Sequence, residues 1–131
     1  MKKIVYLLFF FLWIIGGCSN DDSGHHGKEV GELIDVLVEV DTQPIRIHDE
    51  VMIKAKIMQG QEVVTDATEV KFEIWRDGYA EREMVEGEIH PEEEVYFINK
   101  TFYEPGLYYV IAHVTARNMH NMPKLEVEVL E

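Results

Sequence analysis

Several kinds of residue are nearly missing from this chain, and each shortage removes a class of function. Cysteine occurs once in 131 residues, at Cys18, so no disulfide can form within the chain. Serine occurs only at Ser19 and Ser23. Hydroxyl nucleophiles beyond those positions reduce to a few threonines, none with a histidine evident as its base, so nucleophilic catalysis is not expected. No glycine-rich phosphate loop is present, and the many carboxylates read as solvated strand faces rather than as acid/base pairs. The chain is therefore not expected to be an enzyme. Basic residues number 12 against 25 acidic ones, a formal net charge of −13, and no basic patch exists to track phosphates, which excludes nucleic acid as a partner. No stretch of ten or more residues carries a convincing helical period.

Long apolar runs are also scarce. The one prominent run, Ile4 to Ile15, is 12 residues long, short of the roughly 20 that a membrane-spanning helix needs. It follows Lys2 and Lys3 and precedes small residues, the layout of an export signal. Its end, Ile15-Gly16-Gly17-Cys18, resembles the bacterial lipobox, which implies removal of residues 1–17 and lipidation of Cys18. Residues 18–30 then form a flexible polar tether that includes His25 and His26, and residues 31–131 form the domain. The expected location is the outer face of the cytoplasmic membrane in a Gram-positive-type bacterium, with the lipid as the membrane contact.

The rest alternates between apolar and polar residues at a period of two, the signature of half-buried strands. Ile34, Val36, Val38 and Val40 share one face; so do Val51, Ile53, Ala55 and Ile57. Val70, Phe72 and Ile74 form another set, as do Leu125, Val127 and Val129. Turn signals lie between the sets, at Gln59-Gly60-Gln61, Asp77-Gly78, His90-Pro91 and Pro105-Gly106. About seven short strands in about 100 residues predict an all-β, antiparallel sandwich of the immunoglobulin-like type. Glu104 to Val110 resembles the tyrosine corner of such sandwiches, with Tyr108 as the tyrosine.

Metal binding survives the exclusions. Residues 113–123, His-Val-Thr-Ala-Arg-Asn-Met-His-Asn-Met-Pro, hold His113, Met119, His120 and Met122. Strand parity turns His113 away from the apolar face formed by Tyr108, Val110, Ala112, Val114 and Ala116. The same rule puts Met84, Glu86, Glu88 and His90 on one charged face. Thioether and imidazole without thiolate select copper, Cu(I) in particular. The alternative for Met119 and Met122 is that they fold back to cap the core. An extended chain would hold His113 and His120 about 20 Å apart, so a shared ion requires the chain to reverse between them; otherwise His113 would stand behind the ligands.

These segments carry a family resemblance. Phe72 to Trp75, Glu83 to His90, Phe102 to Val110 and above all Ala112 to Pro123 resemble the YtkA-like domain of Bacillus-type lipoproteins, which is similar to the FixH group. The resemblance implies an extracytoplasmic sandwich linked to copper supply for respiratory oxidase assembly, with Met84, His90, His113, Met119, His120 and Met122 as candidate metal residues. The expected partners are a cytochrome oxidase subunit or another copper chaperone. The competing expectation is a metal-free lipoprotein sandwich that acts as a partner-binding or scaffold module.

Overall fold

The computed structural model describes residues 31–131; the expected export signal, Cys18 and His25-His26 lie outside the described residues. Eleven strands form, and each alternation read from the sequence becomes a buried face. They are β1 (Ile34–Val40), β2 (Ile45–Arg46), β3 (Glu50–Gln59), β4 (Glu62–Val63), β5 (Glu69–Arg76), β6 (Glu83–Glu86), β7 (Glu88–Ile89), β8 (Tyr96–Thr101), β9 (Gly106–Ala116), β10 (Met119–Asn121) and β11 (Lys124–Leu130). The count exceeds the expected seven because several sets break into short pieces.

Two sheets pack face to face. The five-stranded sheet runs β1-β3-β8-β7, with β4 paired to β3; the six-stranded sheet runs β2-β11-β9-β5-β6, with β10 paired to β9. Neighbours are antiparallel except β2, which pairs in parallel with β11. The inward faces supply the core: Ile53, Ala55 and Ile57 from one sheet meet Phe72, Val110 and Ala112 from the other, all fully buried. No polar or charged side chain is buried among the described residues, so apolar burial carries the fold. Tyr108 donates its hydroxyl proton to the Glu104 carbonyl oxygen at 2.8 Å, the bond a tyrosine corner makes.

Two tight turns fix the hairpins. Gly60 has φ 60° at the first central position between β3 and β4, as a type II′ turn requires. Arg117 and Asn118 both have positive φ, 52° and 61°, which makes the β9–β10 connection a type I′ turn. Asn suits that conformation and Arg does not. Three side chains hold Arg117 there: Asp66 and Glu62 each at 3.1 Å and Gln59 at 3.1 Å. The guanidinium thereby ties the hairpin tip to the opposite sheet.

One expectation fails at Gly87. Met84 and His90 do not share a face, because residues 83–89 do not form one strand. Met84 belongs to β6, paired with β5 of the six-stranded sheet. Ile89, just before His90, belongs to β7, paired with β8 of the five-stranded sheet. The chain crosses between sheets at Gly87, whose N–H donates to the Val70 carbonyl at 2.9 Å. A Cβ there would stand 2.9 Å from the Phe72 ring, so only glycine passes this close to the core.

Candidate metal centre

The β9–β10 hairpin supplies the reversal that a site needs. Met119 pairs with Ala116, His120 with Thr115 and Asn121 with Val114. Further along, Lys124 pairs with Ile111 in the same register, so Met122 falls opposite His113 and Pro123 opposite Ala112. The Ala112 N–H donates to the Pro123 carbonyl at 3.1 Å, which continues the ladder through the proline. Directly opposed side chains in such a pair have Cβ atoms about 4.5–5.5 Å apart. His113, Thr115, His120 and Met122 therefore form one block on the outward face of the six-stranded sheet.

Both imidazoles are held by one ring nitrogen. His113 Nε2 lies 3.0 Å from Glu73 Oε2; a carboxylate only accepts, so Nε2 carries the proton and Nδ1 keeps its lone pair. His120 Nδ1 lies 2.9 Å from Thr115 Oγ1, and with the hydroxyl oxygen accepting, Nε2 is left free to bind. Metal-binding histidines are commonly oriented in this way, through a hydrogen bond from the second ring nitrogen. Glu73 is fixed in turn by Arg82 at 3.0 Å, whose guanidinium stacks 4.1 Å above the Trp75 ring. The bonds from His113 and then Arg82 hold the Glu73 carboxyl below its ordinary value, so it stays an anion beside the site.

The remaining candidates separate. Met122 is 61% exposed and available. Met119, one step out of phase with His120, turns inward and packs against the core, which is the capping role open to it from the sequence. Met84 is 54% exposed on the same outward face, but it stands opposite Glu73 on β6. Two strand spacings across and two residues along, about 12 Å, separate it from His113. His90 is on the other sheet. Its ring packs edge-on to Phe97 at 5.4 Å, and its Nδ1 accepts the N–H groups of Glu92 and Glu93 at 3.3 and 3.2 Å. That geometry makes His90 a turn cap, with Nε2 carrying the proton.

Sequence reading missed Glu73 and Thr115. Their outward parity was legible, but which histidine each would meet depends on strand pairing. Thr115 does have a histidine partner, contrary to expectation, although its hydroxyl lies on an open sheet face. Among the described residues no three His, Cys, Asp or Glu side chains gather closely enough to hold an ion. The exposed thioether of Met122, opposite His113, is a further soft donor on this face.

The fold and face described define a β-sandwich with an outward histidine–methionine cluster. The YtkA-like family profile matches residues 33–113, and the chain belongs to that family. The match ends at His113, so the turn, His120 and Met122 lie beyond it. No curated protein matches the chain. Among solved structures, an engineered protein superposes with a TM-score of 0.60 at 13% identity, over 77% of this chain and 21% of that one. This chain thus spans about a fifth of that protein's length, and the likeness concerns the fold alone. The CARDB domain of a Pyrococcus furiosus protein, solved in complex with di-metal ions, is 22% identical over 76% of this chain and 97% of that one. Its TM-score of 0.39 is too low to support an argument.

Proposed function

We propose that the chain is a membrane-anchored, extracytoplasmic copper carrier. It binds Cu(I) through His113 Nδ1, His120 Nε2 and the Met122 sulfur, and hands the ion to a cytochrome oxidase subunit or another copper chaperone. The observation that supports this reading is the placement of those three residues on one outward face, Met122 opposite His113 and His120 opposite Thr115, each imidazole held by its other nitrogen. Soft thioether and neutral imidazole suit Cu(I), and an exported chain whose one cysteine is lipidated has no thiolate to offer. Exposure of Met122 suits transfer, because an incoming ligand can displace the thioether first while the imidazoles hold the ion. Glu73 and Thr115 orient the rings and do not touch the metal.

Titration of Cu(I) against a competing chelator tests the assignment. Met122→Leu keeps the apolar area and removes the sulfur, and His120→Ala removes a nitrogen; each is expected to weaken binding by about tenfold or more. Met119→Leu is expected to bind as the parent does. Unchanged affinity in both Met122→Leu and His120→Ala would remove this site. Absence of binding by the parent would favour the metal-free docking module, for which Met84 and Met122 offer exposed apolar contacts.

A further inference from the structure

The crossing at Gly87 leaves one strand edge uncovered. On β3, Met52 gives both backbone groups to the β1 side: its N–H donates to Asp41 Oδ1 at 2.9 Å, and its carbonyl accepts from the Asp41 N–H at 3.0 Å. Val51, Ile53 and Ala55 therefore turn theirs toward β8, where Lys100, Ile98 and Tyr96 are their partners. The residues between those partners point the other way, so Phe97, Asn99 and Thr101 offer N–H and C=O to the far edge of β8. Strand β7 covers that edge only at Tyr96 and Phe97. Asn99 and Thr101 have no strand beside them there.

A slot runs along this edge. A cavity of about 210 Å³ lies between Val85, Glu86 and Glu88 on one side and Phe97, Ile98 and Asn99 on the other. A second, of about 300 Å³, lies past Lys100 and Glu83, toward Trp75, Tyr79 and Tyr108. Strand β6, across the slot, pairs only with β5 and turns the backbone of Met84 and Glu86 to its own free edge. An ion pair between Lys100 and Glu83 joins the two sheets at this point.

Charge favours one kind of occupant. Arg76, Arg82 and Lys100 line the slot, and each is engaged, by Glu104, Glu73 and Glu83 respectively. Two cations on adjoining strands are also held: Lys71, opposite Glu86, by Glu69, and Lys54, opposite Phe97, by Glu39 and Glu93. Lys56, the remaining cation of β3, stands beyond the covered pair at Tyr96. Glu81, Glu86 and Glu88 line the slot, are exposed, and have no cationic partner among the described residues. These carboxylates oppose an acidic strand, including one from a second copy of this chain with its net charge of −13, and attract a basic one.

We propose that the slot docks an extended, lysine- or arginine-bearing segment of another protein, which adds to the five-stranded sheet as a strand beside Asn99 and Thr101. Such a segment continues the line of β7 and hydrogen-bonds to the two free backbone positions. Its apolar side chains lie against Val85 and Ile98, and its basic ones lie beside Glu86 and Glu88. Lys100 has the same parity as the buried Tyr96 and Ile98. An inward-turned charge of this kind disfavours a wholly apolar strand and guards the edge against aggregation. The proposal involves no copper and stands or falls apart from the metal site.

Amide hydrogen exchange and a model peptide test this on the unlipidated chain from Cys18 onward, kept reduced. Without peptide, the N–H groups of Asn99 and Thr101 are expected to exchange severalfold faster than those of Ile98 and Lys100. A fluorescein-labelled hexapeptide of alternating valine and lysine is expected to bind severalfold more tightly than its valine–glutamate counterpart. On binding, it should slow exchange at Asn99 and Thr101 severalfold. Asn99→Pro removes an N–H that no strand accepts, so this variant is expected to melt within a few degrees of the parent and to lose the peptide. Failure of the valine–lysine peptide to bind, equal binding of the two peptides, or its retention by Asn99→Pro would overturn the proposal. Slowed exchange at Met84 and Glu86 instead would put the peptide on β6 and overturn it equally. A dimer in sedimentation equilibrium that protects Asn99 and Thr101 without peptide would assign the edge to a second copy, against the proposal.

Discussion

Replacement of Gly87 by alanine tests the sheet crossing directly. The new methyl would sit 2.9 Å from Phe72 Cε2, and 3.4 Å from both Val70 Cγ1 and the Val70 carbonyl. Carbon atoms normally pack about 3.5–4.0 Å apart, so the overlap with the ring is about 0.6 Å. Phe72 is fully buried and cannot swing into solvent. Overpacking of this kind costs about 1–3 kcal/mol. The lost freedom of glycine in the unfolded chain returns about 0.4–1 kcal/mol, leaving a net loss of about 1–2 kcal/mol. For a domain of this size that lowers Tm by about 5–15 °C. Thermal unfolding followed by circular dichroism gives the number, and a double-mutant cycle identifies its cause. Phe72→Leu alone should cost about 1–2 kcal/mol through the cavity it leaves, yet it also makes room for the methyl. The double variant should therefore be more stable than the sum of the singles by about 1 kcal/mol. An alanine variant that melts with or above the parent, or strictly additive singles, would refute the account of Gly87.

Three further outcomes follow from the contacts. The Glu73 carboxyl titrates below its ordinary value of 4.5, so its contribution to stability is complete above that value and is lost as pH falls through the lowered one. Urea midpoints of parent and Glu73→Gln should differ by a constant amount above about pH 5 and converge below it; a gap that persisted in acid would contradict the pairing. Arg117→Ala removes the clamp and leaves a residue ill-suited to positive φ, whereas Arg117→Asn removes the clamp but suits the turn. The expected order of Tm is parent, Asn, Ala, and an alanine variant as stable as the parent would show that the clamp contributes nothing. Tyr108→Phe deletes the bond to Glu104 and keeps the ring against Phe102, which lies 4.6 Å away. A loss of about 1 kcal/mol is expected in denaturant melts, and no loss would mean the corner bond is not stabilising.

The alternation of the chain made most of the core legible before any strand was paired. Ile53, Ala55, Ile57, Phe72, Val110 and Val127 all fall on the faces that their parity assigns. That success has a physical basis, since a one-residue slip would turn a whole apolar set to water. Parity is a property of one continuous strand, however, and it carries no information across a break. Met84 and His90 show the consequence. Local alternation runs smoothly from one to the other, yet Gly87 sends the chain to a different sheet, and the two side chains end on opposite outer faces of the sandwich.

The candidate centre was legible to the same depth and for the same reason. Parity alone turned His113 outward, but the separation of Met119 from Met122 required the register of the hairpin, and that register is set by the turn. Asn118 signals a left-handed residue; Arg117 gives no such signal, because its conformation is held by Gln59, Glu62 and Asp66, all more than 50 residues away. A turn one residue longer would move His120 and Met122 to the inward face and Met119 to the outward one. The placement of thioether and imidazole on a common surface thus depends on two backbone positions that bear no ligand. Arg117 and Asn118 are accordingly the residues at which a change of turn length or type would abolish the site while leaving every proposed ligand in the sequence.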